Sequence, residues 1–370
     1  MSTTTEPRPR GRPKKVENTT SIATEPRPRG RPKKIDTNTT ETIAEVKELK
    51  SETPATTPQP QKLASKLVVI TGATSGMGLK ILEELITRSD IEIIAVGRKP
   101  QLCRDIVLKT KSTYPDAKLH FMVTDLSLIN QTNELINDII QKVTELGYDR
   151  IDTLFLNAGL MTQKVELTYE ENEKQWATNY LSPVLMLEKL FPLLQKSTDA
   201  RVIFVTNNKA KHTKINWKAL REPRKFTANT LYNQSKLALL IYALEFHYRQ
   251  FNNPNFRMLV VNPGKVKTKL TTKETKGLKK LKNIISNWTA CSIQEGIRTA
   301  HYLITADTLP HNVVCYQNMR AVMPNTYCMN TDNRYKLFNA TRRMLDLPAL
   351  NRVNEPLEDD IPLSVLPEWR

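Results

Sequence analysis

From Lys66 onward the chain alternates short, unbroken apolar runs with longer stretches in which apolar residues recur every three or four positions. Unbroken runs suit strands covered on both faces, and the longer recurrence marks helices with one buried stripe. The runs "KLVVITG", "IEIIAVG", "KLHFMVTD", "IDTLFLNAG", "RVIFVTN", "FRMLVVNPG" and "NVVCYQ" are predicted strands, with helical patterns between them. Strand and helix in alternation predict an α/β fold, a doubly wound (Rossmann) parallel sheet of about seven strands. Up to about residue 62 the pattern is absent. That segment is rich in Thr, Pro, Glu and Lys and poor in aromatics, so it cannot bury enough surface to offset its ordering entropy. The expected organisation is a disordered basic tail over 1–62, one globular domain over 63–350 and a C-terminal tail over 351–370.

A hydrophobic content of 39% in 370 residues is enough for a sizeable core. No stretch reaches the roughly 18 consecutive apolar residues of a membrane span, and no apolar signal-peptide core is found near the start, so the expected location is nucleus or cytoplasm. The four cysteines, Cys103, Cys291, Cys315 and Cys328, lack metal-ligand spacing and suit a reducing compartment; no metal site is expected. The formal net charge of +17 is concentrated in two places. One is the N-terminal tail. The other is "KVKTKLTTKETKGLKKLK", Lys265 to Lys282, with eight lysines and one glutamate.

Within the tail, "TEPRPRGRPKK" occurs twice without change, at Thr5 to Lys15 and at Thr24 to Lys34. Its Pro-Arg-Gly-Arg-Pro centre resembles the AT-hook. Glycine permits close backbone approach and the prolines keep the chain extended, so Arg10, Gly11 and Arg12 can lie along a narrow minor groove, as can Arg29, Gly30 and Arg31. Two hooks on one flexible segment gain from effective concentration. Binding to A·T-rich DNA, a nuclear address alone, and a plain solvated tail all stay open.

The first strand runs into "TGATSGMG", which places Gly72, Thr74, Ser75, Gly76, Met77 and Gly78 on a turn and the first residues of a helix. Glycines there allow a tight turn and let dinucleotide phosphates approach the helix N-terminus. A glycine cluster alone also fits an ordinary strand-to-helix turn. Here it is followed, in order, by the acid of "TDLS", by "LNAG", by the asparagine of "WATNYLSP", by "YNQSK" and by "NPGKVKT". This ordered set resembles the short-chain dehydrogenase/reductase family from about Lys66 to about Leu347, and is most similar to its retinol-dehydrogenase-like branch.

The resemblance implies an NADP(H)- or NAD(H)-dependent oxidoreductase acting between a carbonyl and an alcohol. The second strand ends "AVGRKP": Gly97 offers no carboxylate to a ribose 2′-hydroxyl, whereas Arg98 can pair with a 2′-phosphate, so NADP(H) is the expected cofactor. The resemblance implies that Asp125, Leu126, Asn157, Ala158 and Gly159 line the adenine side. It likewise assigns Pro263, Gly264, Val266 and Thr268 to the nicotinamide side. Tyr232 and Lys236, at i and i+4, project from one helix face; the resemblance makes them the catalytic pair, with Asn179 supporting a proton relay. A tyrosine with its ordinary pKa near 10 needs a neighbouring cation to act at neutral pH, and Lys236 is the expected source.

One element departs from the family pattern. Where the family has a catalytic serine, "VIFVTNNKA" places Asn207. Asparagine retains an N–H donor but not a hydroxyl's ability to donate and accept at one atom, and Thr206 next to it is expected to face the other way. Turnover is therefore expected to be weakened. The lysine run, with Leu278, Leu281, Ile285 and Trp288 at near-helical spacing, reads as a lid over an apolar substrate, an interfacial membrane contact or extra DNA phosphate contacts. A small apolar carbonyl or alcohol such as a retinoid, steroid or lipid is the expected substrate, with A·T-rich DNA and a second copy of the chain as macromolecular partners. A second reading is a catalytically impaired NADP(H)-binding module tethered to DNA.

Overall fold

Alternate residues of the first strand enter two different cores, which makes the sheet doubly wound. In β1 (Lys66–Thr71), Leu67 and Val69 join one cluster with Ile136, Leu187 and Leu240, while Val68 and Ile70 join another with Ile81, Leu82 and Leu303. Strands covered in this way are apolar at most positions, which explains the runs, and the buried charges Glu92 and Arg201 are paired with His120 and Asp199. The computed structural model describes residues 66–207, 214–264 and 293–352. Among them the sheet continues through β2 (Ile91–Gly97), β3 (Leu119–Val123), β4 (Thr153–Leu156), β5 (Ala200–Val205), β6 (Phe256–Val261), β7 (Cys315–Gln317) and β8 (Arg320–Ala321).

The strand order is β3-β2-β1-β4-β5-β6-β7-β8, parallel throughout except for the last pair. All seven expected runs form strands. The eighth returns from β7 through Asn318 and Met319, both at positive φ (52° and 60°), the backbone of a tight two-residue hairpin. Two residues carry no periodicity, so β8 had no signal in the sequence.

One face is covered by α1 (Gly76–Leu85) and α8 (Ile293–Thr305), the other by α3 (Ile129–Glu145), α5 (Ser182–Leu194) and α7 (Ala228–Arg249). Helix α2 (Pro100–Thr113) follows β2, and the short helices α4 (Lys174–Trp176), α6 (Trp217–Arg221) and α9 (Thr326–Met329) lie in the connections. Helix α4 runs through a π-helical turn, Ala177–Leu181, into α5. Every residue from Ser235 to His247 of α7 is buried, so this helix has no polar stripe. Its outer side is closed by α10 (Thr331–Met344), whose Phe338 stacks on Tyr242 at 4.6 Å and whose Arg334 reaches Glu245 at 3.4 Å.

The strand order reverses between β1 and β4. In an open parallel sheet the crevice beyond the carboxyl ends of such a pair is where ligands bind, because the two chains leave in opposite directions. The segments that leave there are Gly72 to Gly78 and Asn157 to Gly159.

Candidate active site

At the end of β1 the chain needs glycine for two separate reasons. Gly72 and Gly76 hold φ of +69° and +58°, the left-handed region that side chains rarely adopt. Gly78 is excluded from carrying a side chain by space: a Cβ would lie 2.4 Å from the Gly72 carbonyl oxygen and 2.5 Å from Asn157 Nδ2. Ser75 stands at the N-cap of α1, yet its hydroxyl makes no capping bond, and the first turn contains no acidic residue. The helix N-terminus thus keeps donors and positive potential available to an anion. Thr74 and Met77 are half-buried on the same turn.

Asn157 and Ala158 tie this turn to β4. The Asn157 amide donates to the Thr71 carbonyl at 3.0 Å, and the Ala158 N–H donates to Thr71 Oγ1 at 3.0 Å. Asn157 is thus a brace for the glycine turn as well as a candidate pocket residue. Thr71 was not anticipated, since a lone threonine at a strand end carries no signature.

At the end of β2, a Cβ on Gly97 would sit 2.5 Å from the Thr74 methyl and 2.6 Å from Cys103 Sγ. A carboxylate-bearing residue has no room at this position, and the exposed Arg98 follows it. Asp125 is half-buried beyond β3, its carboxylate accepting from the Ser127 N–H at 3.0 Å and its own N–H donating to Gln131 Oε1 at 3.1 Å. Leu126 is buried beside it, its carbonyl accepting from Ser182 Oγ at 2.7 Å. Glu170 caps α3, accepting from the N–H groups of Ile129 (2.6 Å) and Asn130 (3.0 Å) and so anchoring the loop that follows β4.

Asn179 lies in the π-helical turn, completely buried. Its Oδ1 accepts from the Leu160 N–H at 2.8 Å, and its Nδ2 donates to the Leu160 carbonyl at 3.0 Å and to Ser235 Oγ at 3.1 Å. Gly159 makes the approach possible: a Cβ there would lie 3.3 Å from Asn179 Oδ1 and 3.4 Å from Lys236 Nζ. The extra residue of a π-helical turn often occurs at functional sites, and the sequence gives no sign of it.

Tyr232 and Lys236 project from α7, whose first turn is capped by Thr227 Oγ1 accepting from the Thr230 N–H at 3.2 Å. Lys236 Nζ donates to the Val205 carbonyl at 2.8 Å, at the end of β5. Its burial lowers its pKa from 10.5 to about 8. The Tyr232 phenol is raised above its ordinary value, chiefly by burial, with a hydrogen bond from the Asn207 side chain acting the other way. The expected lowering by Lys236 is not among these causes; the opposing influence comes from Asn207. The Thr206 hydroxyl is turned onto the α7 backbone, donating to the Lys236 carbonyl at 3.3 Å. The two side chains therefore leave the strand end in different directions, and the amide is the one that meets the tyrosine.

Beyond β6, Asn262 Oδ1 accepts from the Gly264 N–H at 3.1 Å and its Nδ2 donates to Gln317 Oε1 at 3.0 Å, fixing the turn at Pro263 and Gly264. Gly264 has a φ of +72°. Val266, Thr268, the lysine run and the tail residues Arg10, Gly11, Arg12, Arg29, Gly30 and Arg31 lie outside the described residues. Among the described residues no helix is long and apolar enough to cross a membrane.

This arrangement can accommodate a phosphate-bearing ligand along the β1 turn and place a phenol, a buried ammonium and two amides at the far end. Comparison with known proteins places the chain in a family. The family described as short chain dehydrogenase matches residues 66–279, and the AT hook motif matches 7–19 and 26–37. Mouse "Retinol dehydrogenase 14" is 27% identical over 222 residues, covering 57% of this chain and 64% of its own length. "Short-chain dehydrogenase TIC 32 B, chloroplastic" from Brassica napus is 25% identical over 288 residues, covering 75% of this chain and 88% of its own. Among solved structures, an uncharacterized protein from Mycobacterium Paratuberculosis has a TM-score of 0.59 at 23% identity, covering 78% of this chain and 96% of its own. An NADPH-bound carbonyl reductase from chicken fatty liver has a TM-score of 0.51 at 17% identity, covering 71% and 100%; at these identities the likeness is one of fold.

Proposed function

The chain belongs to the short-chain dehydrogenase family, and from that premise we propose that it is an NADP(H)-dependent reductase of apolar carbonyl compounds. The observation that carries this reading is the cluster at the end of β5. Asn207 is hydrogen-bonded to Tyr232, and Lys236 Nζ is held by Val205 beside Gly159 and Asn179.

NADP(H) fits the residues at the crevice. The pyrophosphate would lie against Gly72, Thr74, Ser75, Gly76, Met77 and Gly78, where a Cβ at Gly78 would clash and the α1 N-terminus is uncapped. Asp125, Leu126, Asn157, Ala158 and Gly159 would flank the adenine half, and Pro263, Gly264, Val266 and Thr268 the nicotinamide half. When bound, the nicotinamide supplies or accepts a hydride. Tyr232 holds the proton that a developing alkoxide requires, and its raised pKa keeps that proton in place at neutral pH, which suits carbonyl reduction. Lys236, with a pKa of about 8, can replace the proton through the polar groups around Asn179. Asn207 offers its amide to the substrate oxygen. Relatives named as retinol and polyprenol dehydrogenases support an apolar substrate.

The 2′-phosphate reading is tested at Arg98. NADPH should bind more tightly than NADH, and Arg98→Ala should remove most of the difference, about tenfold or more, because a charge-assisted hydrogen bond to phosphate is lost. Equal affinity of the unaltered protein for both cofactors would overturn it.

A second activity is supported by the two AT hook matches: the tail binds A·T-rich DNA and gives the reductase a nuclear address. The full chain should bind A·T-rich duplexes better than G·C-rich ones, with affinity falling steeply as salt rises. Replacing Arg10, Arg12, Arg29 and Arg31 by alanine should abolish that preference. Binding indifferent to base composition would leave only a localisation role.

A further inference from the structure

We propose that α10 positions Asn179 in the active site through the hydrogen bond between Thr341 and Tyr180. This inference rests on the reductase reading above.

Asn179 and Tyr180 are consecutive residues of one buried π-helical turn and face different partners. Asn179 holds both backbone groups of Leu160 and reaches Ser235, beside Lys236. Tyr180 points the other way. Its hydroxyl shares a 2.5 Å hydrogen bond with Thr341 Oγ1, across a separation of 161 residues in sequence. The ring is enclosed by Trp176, with centroids 4.6 Å apart, and by Tyr242 at 6.2 Å. Tyr242 in turn stacks on Phe338 of α10 and donates to Glu188, which pairs with Arg342 of α10 at 2.5 Å. Three residues of α10, namely Phe338, Thr341 and Arg342, thus support the side of the turn opposite the active site.

The π-helical turn closes an i→i+5 hydrogen bond, from the Ser182 N–H to the Ala177 carbonyl, in place of the α-helical pattern on either side, and its tertiary contacts help to fix the direction of its side chains. Burial keeps the Tyr180 phenol neutral at any working pH, so the contact does not titrate. Thr341 Oγ1 also donates to the Leu337 carbonyl at 2.8 Å, which orients its lone pairs toward Tyr180. Helix α10 lies outside residues 66–279, the span that the family described as short chain dehydrogenase matches.

The test uses the full-length protein with Tyr180→Phe, Thr341→Val and Thr341→Ser. It measures kcat and KM for a carbonyl substrate, NADPH affinity, and hydrogen exchange of the Leu160 amide against that of Phe155 in β4. Tyr180→Phe and Thr341→Val should lower kcat about tenfold, the scale expected for a displaced catalytic group. NADPH affinity should be unchanged, and Leu160 exchange should accelerate while Phe155 exchange does not. Thr341→Ser, which keeps the hydroxyl, should restore both. If Thr341→Val does not fold, Tyr180→Phe decides, because Thr341 then keeps its bond to Leu337. Unchanged kcat and unchanged Leu160 exchange would overturn the inference. So would a joint acceleration of Leu160 and Phe155, which reports general loosening. If the unaltered protein shows no turnover that Tyr232→Phe removes, the reductase reading fails, and Leu160 exchange alone then decides whether α10 holds Asn179.

Discussion

Tyr232→Phe is expected to reduce carbonyl turnover by about 10²–10⁴-fold, the range for loss of a positioned general acid, while NADPH affinity changes little. The phenol is hydrogen-bonded to Asn207 and raised above its ordinary pKa by burial, so it carries its proton across the neutral range. Phenylalanine keeps the ring and the packing of α7 but has no proton to donate. The effect should therefore fall on kcat and leave ground-state binding nearly intact, as for an interaction made in the transition state. The pH profile should agree. Reduction by the unaltered enzyme should persist through neutral pH and decline in the alkaline range, because burial places the phenol above its ordinary value and deprotonation removes the acid. Turnover that survives Tyr232→Phe would assign proton donation elsewhere.

Asn207→Ser is expected to act in the opposite direction, raising kcat by about tenfold or more. Loss of one positioned donor at a developing oxyanion typically costs about 10²–10³ in rate, and an amide recovers part of that. A serine hydroxyl can donate to the substrate oxygen and accept from Tyr232 at the same atom, whereas an amide that donates to the phenol cannot also accept at that nitrogen. Thr206→Val serves as the comparison, since its hydroxyl is directed at the Lys236 carbonyl, and it should change turnover little. Were Thr206→Val to abolish activity while Asn207→Ser did nothing, the roles of the two residues would be reversed.

Much of this was legible in the sequence because the physics involved is local. Seven strands followed from seven apolar runs, since a parallel strand buried on both faces is apolar at most positions. The glycine turn, Tyr232 and Lys236 followed from ordered short motifs. What the sequence did not carry depends on residues far apart. The two-residue β8 is defined only by its pairing with β7. Helix α7 has no amphipathic stripe because α10 covers it, a fact of tertiary packing. The π-helical turn at Asn179 and the bond between Asn207 and Tyr232 likewise have no local pattern. The charge effect expected of Lys236 on Tyr232 was drawn from the helix spacing and the family resemblance. In three dimensions the ammonium donates to the Val205 carbonyl, and the side chain that favours the phenolate is Asn207.

The account is tested most directly by NADPH consumption with the unaltered full-length protein, assayed against a panel of apolar aldehydes and ketones with the alcohol product quantified. The predicted result is saturable oxidation of NADPH for at least one compound, with one alcohol formed for each NADPH used. Tight NADPH binding with no consumption for any member of the panel would contradict it, leaving a nucleotide-binding protein without this activity.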